Sequence, residues 1–279
     1  MSEFRTQTQR RIWLIAVLLA VSFDLAWADD MRSRAVALAE HIELSLPPRE
    51  GPHPLAVLMP GCLSWHPHHE LWRTQLLEQG FAVLHVDSFT AAGITSRAAM
   101  QREVCTGRRL TGADRAGDLI AVLNVMIERP DIDGARVLAW GWSHGAFSLF
   151  ETLMRLEAGI QPPNLDDLPP PATLSFEAVF LYYPYCGPGS LDGSDGYPSA
   201  TSTLVFHGDR DVITNPRACR RRAQLLAAAG ADIEFVSLAG AGHWFDNHQA
   251  PAAYDASAAA RARARIDSLM HELNGGEDG

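Results

Sequence analysis

Residues 136–145 read Arg136-Val137-Leu138-Ala139-Trp140-Gly141-Trp142-Ser143-His144-Gly145. An apolar run that ends in Gly-x-Ser-x-Gly is the sequence form of a strand turning sharply into a helix, with a serine at the apex. The turn is so tight that the backbone crowds itself on both sides of the serine, and glycines at 141 and 145 relieve the crowding. The serine Oγ is thereby held clear of the sheet at the N-terminus of the next helix, expected over 146–157. On this reading Ser143 is a nucleophile and the chain is a hydrolase or acyl-transfer enzyme. Five-residue patterns of this kind also occur in ordinary Gly/Ser turns, so the rest of the chain has to decide.

Working outward, short apolar runs alternate with longer helical patterns. Strands are expected over 55–59, 81–86, 178–181, 203–207 and 233–238. Pro60-Gly61 breaks the first of them. Helices are expected over 71–79, closed by Gly80, over 114–128 with apolar positions at 119, 120, 123, 125 and 127, over 216–229, and over 252–273. This alternation predicts an α/β fold whose central sheet is mostly parallel and flanked by helices on both faces. Two stretches break the rhythm and read as surface loops, proline-rich 161–171 and Gly/Ser/Asp/Pro-rich 186–199.

The first 28 residues read as a secretory signal. Arg5, Arg10 and Arg11 form a basic start, 12–21 is unbroken apolar sequence, and Ala26-Trp27-Ala28 is a cleavage signal. The apolar run is shorter than the roughly 20 residues a membrane-spanning helix needs. Gln9-Arg10-Arg11 loosely fits a twin-arginine signal, with the general secretory route preferred. The expectation is an exported protein, periplasmic or secreted, with a single domain over 29–273, a disordered tail over 274–279 and no stable membrane insertion after cleavage. Net charge is −10 for the whole sequence, and residues 1–28 carry three arginines and two acids, leaving −11 for the remainder. An acidic chain without a basic stripe is a poor partner for nucleic acid or anionic lipid. The four cysteines, Cys62, Cys105, Cys186 and Cys219, suit disulfides in an exported chain, with three connectivities open. No two have the short spacing of a zinc knuckle.

A serine at neutral pH is a weak nucleophile and needs a base beside it, oriented by an acid. In α/β-hydrolases these occur in the chain order serine, acid, histidine. Here each follows an expected strand, where the carboxyl ends of a parallel sheet collect catalytic groups. Gly208-Asp209-Arg210-Asp211 offers two acids. Asp211, followed by Val212-Ile213, is favoured, and Asp209 is expected to cap the turn. His243 in Gly240-Ala241-Gly242-His243-Trp244-Phe245 is the favoured base, with His248 as fallback and His207 expected to pack at a strand end. His144 is expected to line the site, and its amide to be one oxyanion donor. The second donor is expected from the 60–65 loop, at the Cys62 amide before that of Leu63. His66, His68 and His69 in that loop suit no standard zinc pattern and are expected to be solvated, so no metal and no cofactor is anticipated. Trp65, Trp142, Tyr185 and Trp244 either line an aromatic pocket or simply pack.

With these residues in view, the chain resembles the dienelactone hydrolase family, particularly its exported, cysteine-containing members. The likeness runs from about 55 to 246. It rests on Pro-Gly-Cys at 60–62, Asp-Ser-Phe-Thr-Ala-Ala-Gly-Ile at 87–94 with Cys105 beyond, and the helix, strand and elbow over 114–145. Tyr-Pro-Tyr-Cys at 183–186, Gly-Asp-Arg-Asp at 208–211 with Cys219, and Ala-Gly-His-Trp-Phe-Asp at 241–246 complete it. The resemblance implies an α/β-hydrolase core with Ser143, Asp211 and His243 as triad, and Cys62–Cys105 and Cys186–Cys219 as disulfides. Enzymes that open dienelactones use a cysteine nucleophile where this sequence has Ser143, and no acidic or arginine contact for a lactone carboxylate is evident. The expectation is therefore a serine hydrolase of small-molecule carboxylic esters or lactones that works through an acyl-enzyme. A peptidase-like hydrolase on the same core and a catalytically inactive binding protein are the alternatives.

Overall fold

The computed structural model describes residues 29–275, so the expected secretory signal lies outside the described residues, as do 276–279. Seven strands form one sheet: β1 (Ile42–Ser45), β2 (His53–Met59), β3 (Ala82–Val86), β4 (Ile132–Trp142), β5 (Ala178–Tyr182), β6 (Ser202–Gly208) and β7 (Ile233–Leu238). Their spatial order is β1-β3-β2-β4-β5-β6-β7. β1 is antiparallel to β3 and every other pairing is parallel. The helices are α1 (Met31–Ala37), α2 (Pro67–Gln79), α3 (Ser88–Ala91), α4 (Arg97–Ala99), α5 (Gly112–Met126), α6 (His144–Ala158), α7 (Pro216–Ala228) and α8 (Ala256–Gly275). This is the expected mostly parallel α/β architecture.

The strand sequences explain the layering. A parallel strand covered on both faces reads as continuous apolar sequence, and β3 and β5 are buried at every position. On β2, Leu55, Val57 and Met59 pack into a core with Leu119 and Leu123 of α5 and Leu149 and Leu153 of α6. Ala56 and Leu58, on the opposite face, pack with Leu76 of α2 and Ala262 and Ile266 of α8. Two disulfides, Cys62–Cys105 and Cys186–Cys219, tie the loops to this frame, with Cα–Cα separations of 5.1 and 5.2 Å. Among the described residues no helix is long and apolar enough to cross a membrane.

Several elements differ from the sequence expectation. α1 and β1 were not anticipated, because β1 is four residues of mixed polarity at a sheet edge. The proline-rich 161–171 stretch is anchored beneath α1, where Leu165 is buried and the Met31 N–H donates to Asp167 Oδ1 at 2.7 Å. The closing helix reaches Gly275, past the expected end at 273. The largest change is at α2, which starts at Pro67 rather than 71. Proline suits the first turn of a helix because its missing N–H has no intrahelical partner there. His68 and His69 therefore enter the helix and are buried, at 5% and 1% exposure, instead of being solvated. The His69 ring lies 4.6 Å from Trp142 and 3.9 Å from His68, and Trp65 lies 4.7 Å from His85 on β3. The His66 N–H donates to His69 Nδ1 at 2.8 Å, while the ring nitrogens of His68 and of His85 make no hydrogen bond, and His85 Nδ1 lies 3.9 Å from Glu43 Oε2. Burial pushes His68 down to about 3 and His85 down to about 4, and holds His69 well below the ordinary imidazole range.

The elbow strand is longer than its apolar signal, running from Ile132 directly into Ser143 and α6. The first turn of α6 abuts the carboxyl end of β2. A Cβ on Gly145 would sit 1.9 Å from the Met59 carbonyl oxygen and 2.6 Å from that of Pro60, both backbone atoms that cannot rotate away.

Two expectations follow for stability. Gly145→Ala should lower it by about 3 kcal/mol or more, because overpacking here meets backbone. Gly242→Ala, whose Cβ would meet nothing within 4 Å, should stay within about 0.5 kcal/mol. Equal denaturant midpoints for the two variants would contradict this. The buried imidazoles give the second. Their folded-state proton affinity is lowered, so their contribution is intact above the unfolded value near 6.5 and is lost as pH falls below it. The unfolded chain then takes up protons that the fold refuses. By pH 5 this costs on the order of 2 kcal/mol for a site such as His68. The melting temperature should fall between pH 7 and pH 5, and the fall should shrink in His68→Phe. An undiminished fall in that variant would remove His68 from the account.

Candidate active site

The site begins with the backbone of Ser143, which carries φ 51° and ψ −112°, a left-handed conformation that costs a non-glycine residue on the order of 1–3 kcal/mol. Hydrogen bonds on both sides hold it there. The Ser143 N–H donates to the Tyr182 carbonyl at the end of β5 (2.8 Å), and its carbonyl accepts from the Phe147 N–H in α6 (2.9 Å). Gly141 is required too, since a Cβ there would lie 2.7 Å from the Ala146 backbone. The strand-to-helix turn thus lifts Oγ off the carboxyl edge of the sheet.

The loops after β6 and β7 bring two further groups to the same point. His243 Nε2 is 3.1 Å from Ser143 Oγ, and His243 Nδ1 is 2.7 Å from Asp211 Oδ2. Since an ionised carboxylate only accepts, Nδ1 carries the proton and the Nε2 lone pair faces the serine hydroxyl. Asp211 Oδ1 accepts from the N–H groups of Ile213 (2.8 Å) and Thr214 (3.0 Å), and Oδ2 also accepts from Thr214 Oγ1 (2.8 Å). Burial works to raise the Asp211 carboxyl, but the hydrogen bond and charge of His243 and the two amides outweigh it and hold it below the usual range. All three groups are nearly buried, at 9% for Ser143 and 7% each for Asp211 and His243.

The competing candidates sit elsewhere. Asp209 is exposed, and instead of capping its own turn it accepts from the Gly240 N–H in the loop after β7 at 2.8 Å. His248 is exposed. His207 is fully buried, with Nδ1 3.7 Å from Asp211 Oδ2 and Nε2 3.3 Å from Thr214 Oγ1. The His144 side chain does not line the site as expected. It is buried between Phe147, at 5.6 Å between ring centres, and Arg115, whose Nη1 lies 3.1 Å from its Nδ1. Its amide nonetheless starts α6 next to the nucleophile. The 60–62 loop also flanks the serine, since a Cβ on Gly61 would lie 3.4 Å from Ser143 Cβ.

Of the four aromatics, Trp142 only packs. It is 1% exposed, stacks on Tyr182 at 5.5 Å, and donates its indole N–H to Asp246 at 2.7 Å. Trp65, Tyr185 and Trp244 are half-buried. Trp244 follows the base directly, with φ 63° and a ring 6.2 Å from that of His243. Tyr185 lies 5.5 Å from Phe147, and Trp65 packs on His69 and His85. Among the described residues no group of three His, Cys, Asp or Glu is arranged to hold a metal ion.

Four residues around the site were not singled out by sequence reasoning. Thr214 braces the acid. Tyr183 (φ 40°) lays its ring 4.3 Å from that of His243 and donates its hydroxyl to Asp246 at 2.7 Å. Asp246 therefore ties the residue before the nucleophile to the ring beneath the base. Arg115 of α5 is 0% exposed and donates from Nη1 to the Pro60 carbonyl at 2.9 Å. The Asp three residues after the histidine was a legible signal for Asp246, whereas an arginine in an amphipathic helix pattern carries none.

Comparison with known proteins agrees with this geometry. Residues 172–274 match the family model of the dienelactone hydrolase family. Among curated protein sequences, none matches the chain. A dienelactone hydrolase-like promiscuous phosphotriesterase from metagenomic libraries superposes with a TM-score of 0.60 at 20% identity, over 83% of this chain and 92% of its own. Esterase 2 of Thermogutta terrifontis, in its apo form, does so with a TM-score of 0.60 at 16% identity, over 83% of this chain and 89% of its own. At these identities the likeness is one of fold. The C-terminal part of the chain, residues 172–274, is thus similar to the dienelactone hydrolase family, and the fold over most of the chain is shared with a dienelactone hydrolase-like enzyme and an esterase.

Proposed function

We propose that the protein is a serine carboxylic-ester hydrolase whose triad is Ser143, His243 and Asp211. The observation that carries this reading is the unbroken hydrogen-bonded line from Ser143 Oγ through the His243 ring to Asp211, at 3.1 and 2.7 Å. His243 Nε2 takes the hydroxyl proton as Oγ adds to the ester carbonyl carbon. The negative charge that develops on the carbonyl oxygen is met by the His144 amide at the start of α6 and by the Cys62 amide of the loop beside it. The His243 imidazolium, held by Asp211, returns its proton to the departing alcohol and leaves an acyl group on Ser143. Water, deprotonated by the same imidazole, then releases the acid and restores the serine.

The half-buried Trp65, Tyr185 and Trp244 are the aromatic groups available to substrate. The protein is proposed to act in an oxidising, exported compartment, a reading supported by its two disulfides. Thermogutta terrifontis esterase 2 is phosphorylated by paraoxon, so an organophosphorus probe is the direct test of an activated serine here.

Wild-type protein should be labelled by a fluorophosphonate and Ser143→Ala should not. Unlabelled wild type, or equal labelling of both, would leave a binding protein rather than an enzyme. On p-nitrophenyl esters of graded acyl length, Asp211→Asn should lower kcat by roughly 10²–10⁴-fold while Asp209→Asn keeps most of it. The reverse ranking would reassign the acid. A dipeptide p-nitroanilide run alongside should be turned over far more slowly than the best ester, and a reversal would make the protein a peptidase.

A further inference from the structure

The buried guanidinium of Arg115 is unlike the other arginines. It has 0% exposure and its charge has no carboxylate in hydrogen-bonding contact, since Nη1 bonds the Pro60 carbonyl (2.9 Å) and His144 Nδ1 (3.1 Å) and Nε and Nη2 have no partner. The Phe89 ring lies under it at 4.8 Å. Burial lowers its pKa only to about 10, so it stays charged at neutral pH. Burying such a cation costs stability unless something is gained by it. Its two bonded partners indicate the gain. One is the carbonyl of the residue two before Cys62, in the loop that flanks Ser143, and the other is the side chain of the residue that follows Ser143. These are the two backbone segments that carry the proposed oxyanion donors, and they come from elements 84 residues apart in sequence.

We propose that Arg115 is the positioning residue of the oxyanion hole: its Nη1 fork locks the Pro60–Cys62 loop to His144, so that both amides keep a fixed separation. This rests on the proposed esterase reading. Nη1 has two hydrogens, so it serves both partners at once, and His144 must then be the Nε2–H tautomer with Nδ1 accepting. The arginine is too deeply buried to touch substrate. It acts by fixing the donors before charge develops, where misplacement by about 1 Å can cost as much as 100-fold in rate. Its positive charge, which Asp118 and Asp87 offset only from beyond hydrogen-bonding distance, points the same way, since it sits beside the peptide units that face the developing oxyanion. Lysine is a poor copy, because its side chain is one bond shorter than the one that carries Nη1 to both partners, and its ammonium is not held in a guanidinium plane.

Arg115→Lys and Arg115→Met are compared with wild type by three measurements: end-point fluorophosphonate labelling to count competent sites, kcat per labelled site on the best p-nitrophenyl ester, and Ki for an alkyl boronic acid that forms a tetrahedral adduct on the serine. In both variants kcat per labelled site should fall about 10- to 100-fold with KM changed less than about threefold, and boronate Ki should rise in parallel with the loss of kcat/KM. A merely structural role would lower the number of labelled sites and leave kcat per site and boronate Ki within threefold of wild type. That result would overturn the proposal. Should Arg115→Met not fold, the Lys variant alone decides by the same criteria. Wild type that takes no label would instead sink the esterase reading and leave the Arg115 contacts unused.

Discussion

The rest of the structure depends on how closely the first turn of α6 approaches the end of β2. The Met59 and Pro60 carbonyls occupy the space where a side chain at position 145 would be, so the helix can start there only with glycine. That approach leaves a single residue, Ser143, to reverse the chain between β4 and α6, and it must do so with φ 51°. A lone serine would relax out of this conformation. It is kept by parallel pairing on both sides of β4, Met59 with Gly141 on β2 and Trp142 with Tyr182 on β5. The strain is thus held by the middle of the sheet, the most stable part of the molecule.

Once the serine is fixed, the other groups arrive because parallel strands end on the same edge. β6 and β7 deliver Asp211 and His243 within three to five residues of their last positions. The loops after β5 and β7 share the strain, since Tyr183 and Trp244 also have positive φ. Non-glycine residues in that region persist only where their surroundings over-determine them. Here the surroundings are specific: Asp246 accepts from both Trp142 and Tyr183, and Thr214 bonds Asp211. The residue before Ser143 and the ring under His243 are thus joined through Asp246, and Thr214 Oγ1, bonded to Asp211, lies 3.3 Å from the Tyr183 carbonyl.

Much of this was readable in the chain. Strands β2 to β7 announce themselves as apolar runs, and the Gly-x-Ser-x-Gly turn, Asp211 and His243 each follow one. What escaped was set by tertiary packing rather than local pattern. β1 is too short and mixed to signal itself and exists because β3 has an open edge. α2 begins at Pro67 because a wall formed by Trp65, Trp142 and His85 accepts His68 and His69, and a cluster of histidines reads as polar when only its sequence is seen. His144, expected to line the site, faces inward, and of the two places open to Trp142 the structure shows packing, because at so sharp a turn the side chains on either side of Ser143 leave in different directions. Asp246 had its place after the histidine as a signal but not its partners, and Arg115 could not be weighted at all, since its importance lies in which backbone and side-chain atoms it joins across the fold.

The buried imidazoles bear on catalysis in one further way. His144 follows Ser143 in the chain, His207 lies 3.7 Å from Asp211 and His69 packs against Trp142, and all three rings are buried. Burial keeps each of these three below the ordinary imidazole range, with Arg115 adding to the effect at His144 and His69. His207 stands 3.7 Å from the same Asp211 oxygen that His243 meets at 2.7 Å, and His243 is the ring that also reaches Ser143 Oγ, at 3.1 Å. A charge-assisted bond at the shorter distance is the stronger one. Among the described residues the Ser143 hydroxyl therefore has one imidazole within hydrogen-bonding reach, and that ring is held by Asp211. That follows from where Asp211 sits, and not from any special property of the histidine itself.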